Sequence, residues 1–386
     1  MPTTSKTYSL LLLGDVMIGR LIDALLPTSI ARQSPHSDPE SAALTVDKHI
    51  LLRYPQLKSY GYLSPWGNST ELIRKSDLVL ANLETAVTKS EKKWPNKVFN
   101  YRTHPGNVQC LTEVGMGDRT RRGFVSLANN HTLDWAVEGL QETVMTLADN
   151  GIEFAGAGRT EEEAHRPATL QLGGADGWHV KCWSFADHPS EWELVNAFNY
   201  IEYTGKGRDI IKGQLLAKGP GGGEGRLGLK VVSMHWGPNY RWHPAKEIVD
   251  LAHWMIDECG VDIIHGHSSH HFQGVEIYKG KLVVYGCGDF VDDYAIEPNF
   301  RNDLSAIWKV SVEERTEKTK GESELEVKRL EVYPNRIERF QARLLKRDDP
   351  DHEWVEQTFR RLCDQFGTQV EKDLGDEGQI VVQVRT

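Results

Sequence analysis

The stretch LLLLGD at residues 10–15 has the pattern of a buried β-strand that ends in a carboxylate. A short apolar run bounded by turn residues is typical of a strand that is covered on both faces. The same pattern, an apolar run followed at once by Asp, Glu, Asn or His, recurs along the chain. The recurrences are DLVLANLE at 77–84, FVSLANNH at 124–131, KVVSMHWG at 230–237 and VDIIHGHSSH at 261–270.

Helical patterns follow the third and fourth of these strands. Leu140, Val144 and Leu147 recur at helical spacing after the third, and Ile248 and Leu251 do so after the fourth. Strands that alternate with helices predict a layered α/β fold. Ligands of such folds bind beyond the carboxyl ends of the strands, so the polar residues at these ends are expected to converge.

The residue types at the strand ends favour a metal site. Asp, Glu, Asn and His are ligands suited to Zn, Mn or Fe. The last motif is the hardest to explain as plain structure, because it places four imidazoles within seven residues. Within it, we interpret His265 and His271 as the pair with a structural role.

Each motif also has a structural interpretation. Asp15 can be a turn residue that caps the next helix. Glu84 lies on a buried run and needs a partner, for which a metal ion and Arg102 are the two candidates. Asp134 can cap the helix that follows it. His235 can be a core histidine whose hydrogen bonds are satisfied.

Bulk composition restricts the class of protein. The chain has 386 residues and a formal net charge of -10, which argues against nucleic acid or an anionic membrane surface as a partner. No apolar run approaches the roughly 20 residues that span a bilayer. The apolar run at 10–13 is too short for a signal peptide. Five scattered cysteines are typical of reduced thiols, so we expect a cytoplasmic protein.

At these motifs the chain resembles the CapA family, named for poly-γ-glutamate capsule synthesis and related to calcineurin-like metallophosphoesterases. The resemblance covers most of residues 8–310, in family order. The matching stretches are GDVMIGR (14–20), ANLETAVT (81–88), FNYRTHP (99–105), SLANNHTLDW (126–135), GAGRTEEEA (156–164), MHWGPNY (234–240), GHSSHHFQGVEIYKGKLVVYGCGDFVDDY (266–294) and RNDLSAIW (301–308).

The resemblance implies a four-layer αββα sandwich, in which two mixed β-sheets are flanked by helices. We expect one domain over 1–386. Within it, residues 8–310 form the core that carries the motifs, and residues 311–386 add C-terminal strands and a helix.

The resemblance also implies a centre of one or two divalent ions, Mn, Zn or Fe. Glu84 would bridge the two ions, His131 would be an outer-sphere acid and Asp134 would orient it. The implied ligands are Asp15, Glu84, Asn130, His235, His267 and His270.

Two departures from the family pattern bear on the second ion. Calcineurin-like enzymes usually begin with Asp-x-His, whereas this chain has Asp15-Val16-Met17, and a thioether is a poor ligand for hard ions. The last motif has two serines between His267 and His270 in place of Gly-His-x-His. One ion position is therefore expected to be weak, empty or built differently.

The leading functional hypothesis is a metal-dependent hydrolase that cleaves a phosphoester or a γ-glutamyl amide of a small anionic substrate. Transfer to an amine is a related reaction. Arg20 and Arg102 are candidates for holding the substrate, because guanidinium matches phosphate and carboxylate. Structural salt bridges are the alternative for both arginines. The second hypothesis is a non-catalytic component of poly-γ-glutamate or peptide synthesis that binds the polymer. The oligomeric state is left open.

Overall fold

The computed structural model describes residues 6–33, 40–117, 122–174, 177–217, 226–316 and 323–385. The strands of the described chain are β1 Thr7–Val16, β2 Leu78–Leu83, β3 Ala86–Val87, β4 Arg102–Thr103, β5 Gly123–Ser126, β6 Glu153–Ala155, β7 Ala168–Leu172, β8 Trp178–Ala186, β9 Arg226–His235, β10 Ile263–His267, β11 Val275–Tyr278, β12 Lys281–Val284, β13 Asp289–Val291, β14 Leu304–Thr316, β15 Ser323–Ile337, β16 Ala342–Leu344 and β17 Ile380–Gln383.

Helices connect and cover these strands. The α-helices are α1 Arg20–Leu25, α2 Ile30–Gln33, α3 Glu40–Thr45, α4 Leu51–Arg53, α5 Thr70–Lys75, α6 Gln109–Glu113, α7 Ala136–Asp149, α8 Glu161–His165, α9 Gly205–Leu215, α10 Lys246–Cys259 and α11 Pro350–Asp364. Shorter turns of other helix types are Val46–Ile50, Pro55–Ser59, Ser64–Ser69, Pro105–Val108 and Ser190–Trp192.

Two mixed sheets contain nearly all of these strands. In the larger sheet the order is β16-β15-β14-β1-β2-β5-β6, with β13 paired to β1 and β17 paired to β15. In the smaller sheet the order is β11-β12-β10-β9-β8-β7. Each sheet combines parallel central pairs, such as β1–β2 and β9–β10, with antiparallel pairs such as β14–β15 and β7–β8. The prediction of an α/β fold with two mixed sheets is confirmed.

The first strand shows how the layers are packed. Leu10 and Leu12 share a hydrophobic cluster with residues of the smaller sheet such as Val231. Leu11 and Leu13 point the other way and pack in the cluster that contains buried residues of α1 and α7. Successive side chains of a strand face opposite sides, so β1 is buried between the second sheet and the helices. The specific relation to the metallophosphoesterase sandwich stays a prediction.

Helix α10 covers the other face of the smaller sheet. Leu251 and Met255 of this helix pack with Val232 and Ile264 of β9 and β10. The C-terminal residues also join the core: β15 and β17 extend the larger sheet, while Phe359 of α11 packs in the cluster between the sheets. The assignment of the whole chain to one domain stays a prediction. Among the described residues, the longest apolar helices fall short of what a membrane crossing requires.

A close approach of β1 to β13 aligns the two strand ends. The backbone N–H of Asp15 donates to the carbonyl of Gly288 at 3.1 Å. A Cβ atom on Gly14 would lie 1.6 Å from that same carbonyl oxygen, so only glycine fits there. The register pairs Asp15 directly with Asp289. This contact brings a strand from late in the chain beside the first motif.

Candidate metal centre

Two overlapping groups of possible ligands form where the carboxyl ends of strands from both sheets meet the start of β13. The ligand atoms of each group lie within 4.8 Å of one another. All of these side chains are buried, and Asp15 belongs to both groups. The first group is Asp15, His235 and His267, and the second is Asp15, Glu84, His270 and Asp289.

Several buried polar atoms at this point have no hydrogen-bond partner among the residues that the structure describes. Burial of a polar atom without a partner costs free energy, and a bound cation is one way to supply the missing partner. Convergence of carboxylate, amide and imidazole atoms fits a divalent ion of the Zn, Mn or Fe type. The atoms are Asp15 Oδ2, Glu84 Oε1, Asn130 Oδ1, His235 Nε2 and Asp289 Oδ2.

The acidic side chains of the cluster have pKa values shifted by burial and by one another. Burial, aided by neighbouring carboxylates, raises the pKa of Glu84 and of Asp289 well above the usual range. Burial also raises the pKa of Asp15, although His270 and Asn82 act against it. A cation bound among these carboxyl groups would favour their charged forms and act against the effect of burial.

The two histidines of the first group are fixed by their neighbours. His235 Nδ1 lies 2.8 Å from His267 Nδ1, and Ser233 Oγ lies 2.9 Å from His267 Nε2. Burial lowers the pKa of both imidazoles well below the usual value, which keeps them neutral. A neutral imidazole retains the lone pair that a metal ion needs.

The histidines interpreted as structural make backbone contacts. His265 Nε2 donates to the carbonyl of Leu13 at 2.8 Å, which ties the two sheets together. His271 Nδ1 donates to the carbonyl of Phe272 at 2.9 Å. The structural role of these two histidines stays a prediction.

In the second group, Asp289 is the residue that sequence reasoning missed. Its Oδ1 lies 2.9 Å from His270 Nδ1, and its strand pairs with that of Asp15. A signal was present, because Gly288-Asp289 repeats the Gly14-Asp15 ending after another apolar run.

At the first-strand motif, Met17 stands where a second ligand was expected, and a carboxylate from another strand lies beside Asp15. Met17 is buried, and its sulfur accepts from the backbone of Gly19 at 3.2 Å. Asp289 on the adjacent β13 supplies the additional carboxylate. Asp15, rather than Glu84, is common to both ligand groups, while Glu84 Oε2 accepts from Tyr294 at 3.2 Å. The assignment of individual ligands stays a prediction.

His131 and Asp134 form a hydrogen-bonded pair beside the ligand groups. His131 Nδ1 donates to Asp134 Oδ2 at 2.7 Å, and the His131 ring stacks on Tyr101 at 3.9 Å between centroids. Asp134 also accepts from the backbone of Tyr101 at 2.6 Å and pairs with Lys97. Burial lowers the pKa of His131 to about 4. The helix that follows has Trp135 at its N-cap, so Asp134 supports His131 in place of capping.

A cavity of about 460 Å³ opens beside this pair. Arg20 and Lys97 provide its positive charge, and Arg20 Nε also pairs with Asp293 at 3.3 Å. Sequence reasoning did not single out Lys97, which lies on a loop without regular structure. The cavity is lined by Arg20, Lys97, Val98, Phe99, Tyr101, Asn130, His131, Asn239, Tyr240, His270, Tyr294 and Ala295.

The other arginine predicted to bind substrate has contacts of a structural kind. Arg102 is buried, donates to the carbonyls of Lys89 and Ser90, and lies over the ring of Trp135 at 3.8 Å. It lines a neighbouring cavity and not the one beside the ligand groups. Substrate binding by Arg20 and Arg102 stays a prediction.

Added Mn²⁺ or Zn²⁺ is expected to raise the melting temperature, and to do so more at about pH 7.5 than at about pH 5. The raised pKa values of Glu84 and Asp289 mean that a cation must displace protons from them, so affinity increases with pH. At 100 times Kd the ion stabilises the fold by about 2.7 kcal/mol. Thermal unfolding with and without metal checks this. An equal shift at both pH values would contradict proton displacement.

Comparison with known proteins identifies a family and several named relatives. The bacterial capsule synthesis protein family matches residues 9–294. A probable polyglutamine synthesis accessory protein of Mycobacterium tuberculosis is 33% identical over 385 residues, covering 94% of this chain and 93% of the relative. The capsule biosynthesis protein CapA of Bacillus anthracis is 25% identical, covering 75% and 61%, and the PGA biosynthesis protein CapA of Bacillus subtilis is 27% identical, covering 58% and 55%. The chain therefore belongs to the CapA-type family of bacterial capsule synthesis proteins.

Proposed function

We propose that this protein is a metal-dependent hydrolase that cleaves a γ-glutamyl amide of an anionic substrate. The observation that carries the proposal is the pair of ligand groups that share Asp15, set beside a cavity lined by His131. Divalent ions, when bound there, polarise the scissile group and lower the pKa of a water molecule.

The residues around the ligand groups would transfer the proton and bind the substrate. His131 begins as a neutral imidazole, because burial lowers its pKa to about 4. With Nδ1 engaged by Asp134, Nε2 is the ring nitrogen left to take a proton from the attacking water. The resulting imidazolium is a strong acid and passes that proton to the leaving amine. Arg20 and Lys97 hold the anionic groups of the substrate.

The names of the relatives and the charge of the cavity support a glutamyl amide as the bond. The names of the relatives refer to capsule, PGA and polyglutamine synthesis, which supports a glutamyl substrate. Two cationic side chains in the cavity support a substrate with carboxylates. A phosphoester is the other bond that such a centre can polarise.

One specific observation favours a second candidate function. The Mycobacterium tuberculosis relative carries the name accessory protein, which fits a subunit that binds the polymer without cleaving it. In that case the cavity would hold a glutamyl chain, and turnover would be absent although metal and ligand bind.

Metal analysis combined with three assays tests the proposal. Purified protein loaded with Mn²⁺ or Zn²⁺ is assayed on γ-glutamyl p-nitroanilide, on poly-γ-glutamate and on p-nitrophenyl phosphate. We expect bound metal and cleavage of the glutamyl substrates in the wild type, and reduced metal content together with loss of cleavage in Asp289→Asn, which belongs to the second group alone. His243→Ala, at an exposed histidine, is the matched control and should change neither. Metal without cleavage of any substrate would favour the accessory function, and no metal uptake would reject the enzyme.

A further inference from the structure

A second cavity of about 380 Å³ adjoins the one beside the ligand groups. Both cavities are lined by Arg20, Val98, Phe99 and Tyr101. The remaining wall of the second cavity includes Thr45 of α3. A ligand bound at the ligand groups can therefore extend past Arg20 into the second cavity.

Arg20 at the boundary is suited to an anionic group. Its side chain is 38% exposed and is oriented by Asp293 at 3.3 Å and by the hydroxyl of Tyr101 at 3.4 Å. The guanidinium also lies over the Tyr101 ring, 5.3 Å from its centroid. An arginine held in this way is pre-organised to bind a carboxylate at the passage between the cavities.

Asp23 and Arg102, the charged groups that line the second cavity and not the first, are engaged within the protein. Asp23 accepts from Thr103 Oγ1 at 3.0 Å and from Asn107 Nδ2 at 2.9 Å. Arg102 binds backbone carbonyls, as described above. This interior is therefore poorly suited to a second strongly charged group and better suited to an uncharged part of a ligand.

Asn100 is one of the residues that line the second cavity. Its Nδ2 donates to the carbonyl of Lys97 at 2.8 Å, which fixes the orientation of the amide. Its Oδ1 is buried and has no hydrogen-bond partner within the described parts of the chain. Such an oxygen gains most from an N–H donor on a ligand. Amide linkages supply that donor.

Besides Arg20 and Tyr101, the border between the cavities has two apolar side chains that are exposed to solvent. Val98 is 80% exposed and Phe99 is 64% exposed, although both are large hydrophobic side chains. Burial of apolar surface against a ligand releases about 25 cal/mol per Å². The methylene groups of a chain that crosses the border can cover these two side chains.

We propose that the second cavity is a subsite for the next unit of an elongated, amide-linked chain whose carboxylate binds Arg20. This inference rests on the proposed function and replaces the small substrate expected from the sequence by a chain of several units. The bound ligand would place one linkage at the ligand groups, one carboxylate at Arg20 and one amide N–H at Asn100 Oδ1.

Calorimetry with γ-linked diglutamate and γ-linked tetraglutamate on metal-loaded protein tests the subsite. We expect the tetramer to bind at least tenfold more tightly than the dimer. Thr45→Trp, which fills the second cavity, should remove that difference and leave dimer affinity unchanged. Leu44→Trp is the matched control, since Leu44 is 48% exposed and belongs to the lining of neither cavity. Asn100→Ala is a second variant that should weaken only the tetramer.

Equal affinity for the two probes, or no binding of either, would overturn the subsite. Unchanged tetramer affinity in both Thr45→Trp and Asn100→Ala would overturn it too. The titrations are run in the His131→Gln background, which is expected to keep its metal and to turn over slowly, so that cleavage does not consume the probes. Metal content measured on the same samples shows separately whether the proposed hydrolase has lost its ions.

Discussion

Asp15→Asn is expected to remove metal from both ligand groups and to lower kcat/KM roughly 1000-fold, which corresponds to about 4 kcal/mol of transition-state stabilisation. The reason is that Asp15 is the one residue common to both groups. Its Oδ1 already accepts from Asn82 at 2.7 Å, so the buried Oδ2 is the atom left for a cation. Asparagine keeps the shape but removes the charge.

Metal content by mass spectrometry and a glutamyl hydrolysis assay check this result. Asp250→Asn provides the same chemical change at an exposed carboxylate that pairs with Lys246, and it should behave as the wild type. Asp289→Asn should lose the ion held by the second ligand group and retain the ion held by the first. If Asp15→Asn kept its full metal content, the shared-ligand arrangement would be wrong.

His131→Gln is expected to lower kcat by about 100- to 10,000-fold while metal content stays at the wild-type level. His131 lies in the cavity wall but belongs to neither ligand group, so its loss removes proton transfer and not the ions. KM is expected to change little, because Arg20 and Lys97 still bind the anionic substrate. Steady-state kinetics on metal-loaded samples separate the two parameters.

Asp134→Asn distinguishes a catalytic from a structural role of His131. Asp134 orients the imidazole through Nδ1, so this variant should lose part of the same activity without losing metal. His265→Gln serves as a control for the general effect of changing a buried histidine. A drop in metal content in His131→Gln would show that His131 acts as a ligand instead.

Sequence patterns were sufficient to locate the strand ends because each lies within one short stretch. The apolar run before Asp15 predicts a buried strand, and the run before Glu84 predicts its neighbour. Both strands are present, pair in parallel and carry their carboxylates to the same edge. The histidines of the last motif were likewise recognisable as candidate ligands, because four of them fall within seven residues.

The side-chain positions that the sequence did not predict depend on contacts between segments that are distant in the chain. Asp289 comes beside Asp15 only because Gly14 permits the close approach of β13. Lys97 lies on an irregular loop, and nothing in its local sequence indicates that it reaches Asp134. Arg102 resembles a substrate-binding arginine in its motif, yet the fold surrounds it with backbone carbonyls and an indole ring.

The sequence by itself determined the α/β class, the CapA-type family and the strand ends that carry acidic and imidazole groups, because those properties reside in local periodicity and short motifs. Only the tertiary structure decided which of these groups share a cation-sized space, that Asp15 is common to both groups, and that a second cavity continues past Arg20. The physical reason is that register between strands far apart in the chain sets these distances, and that register follows from packing of the whole core.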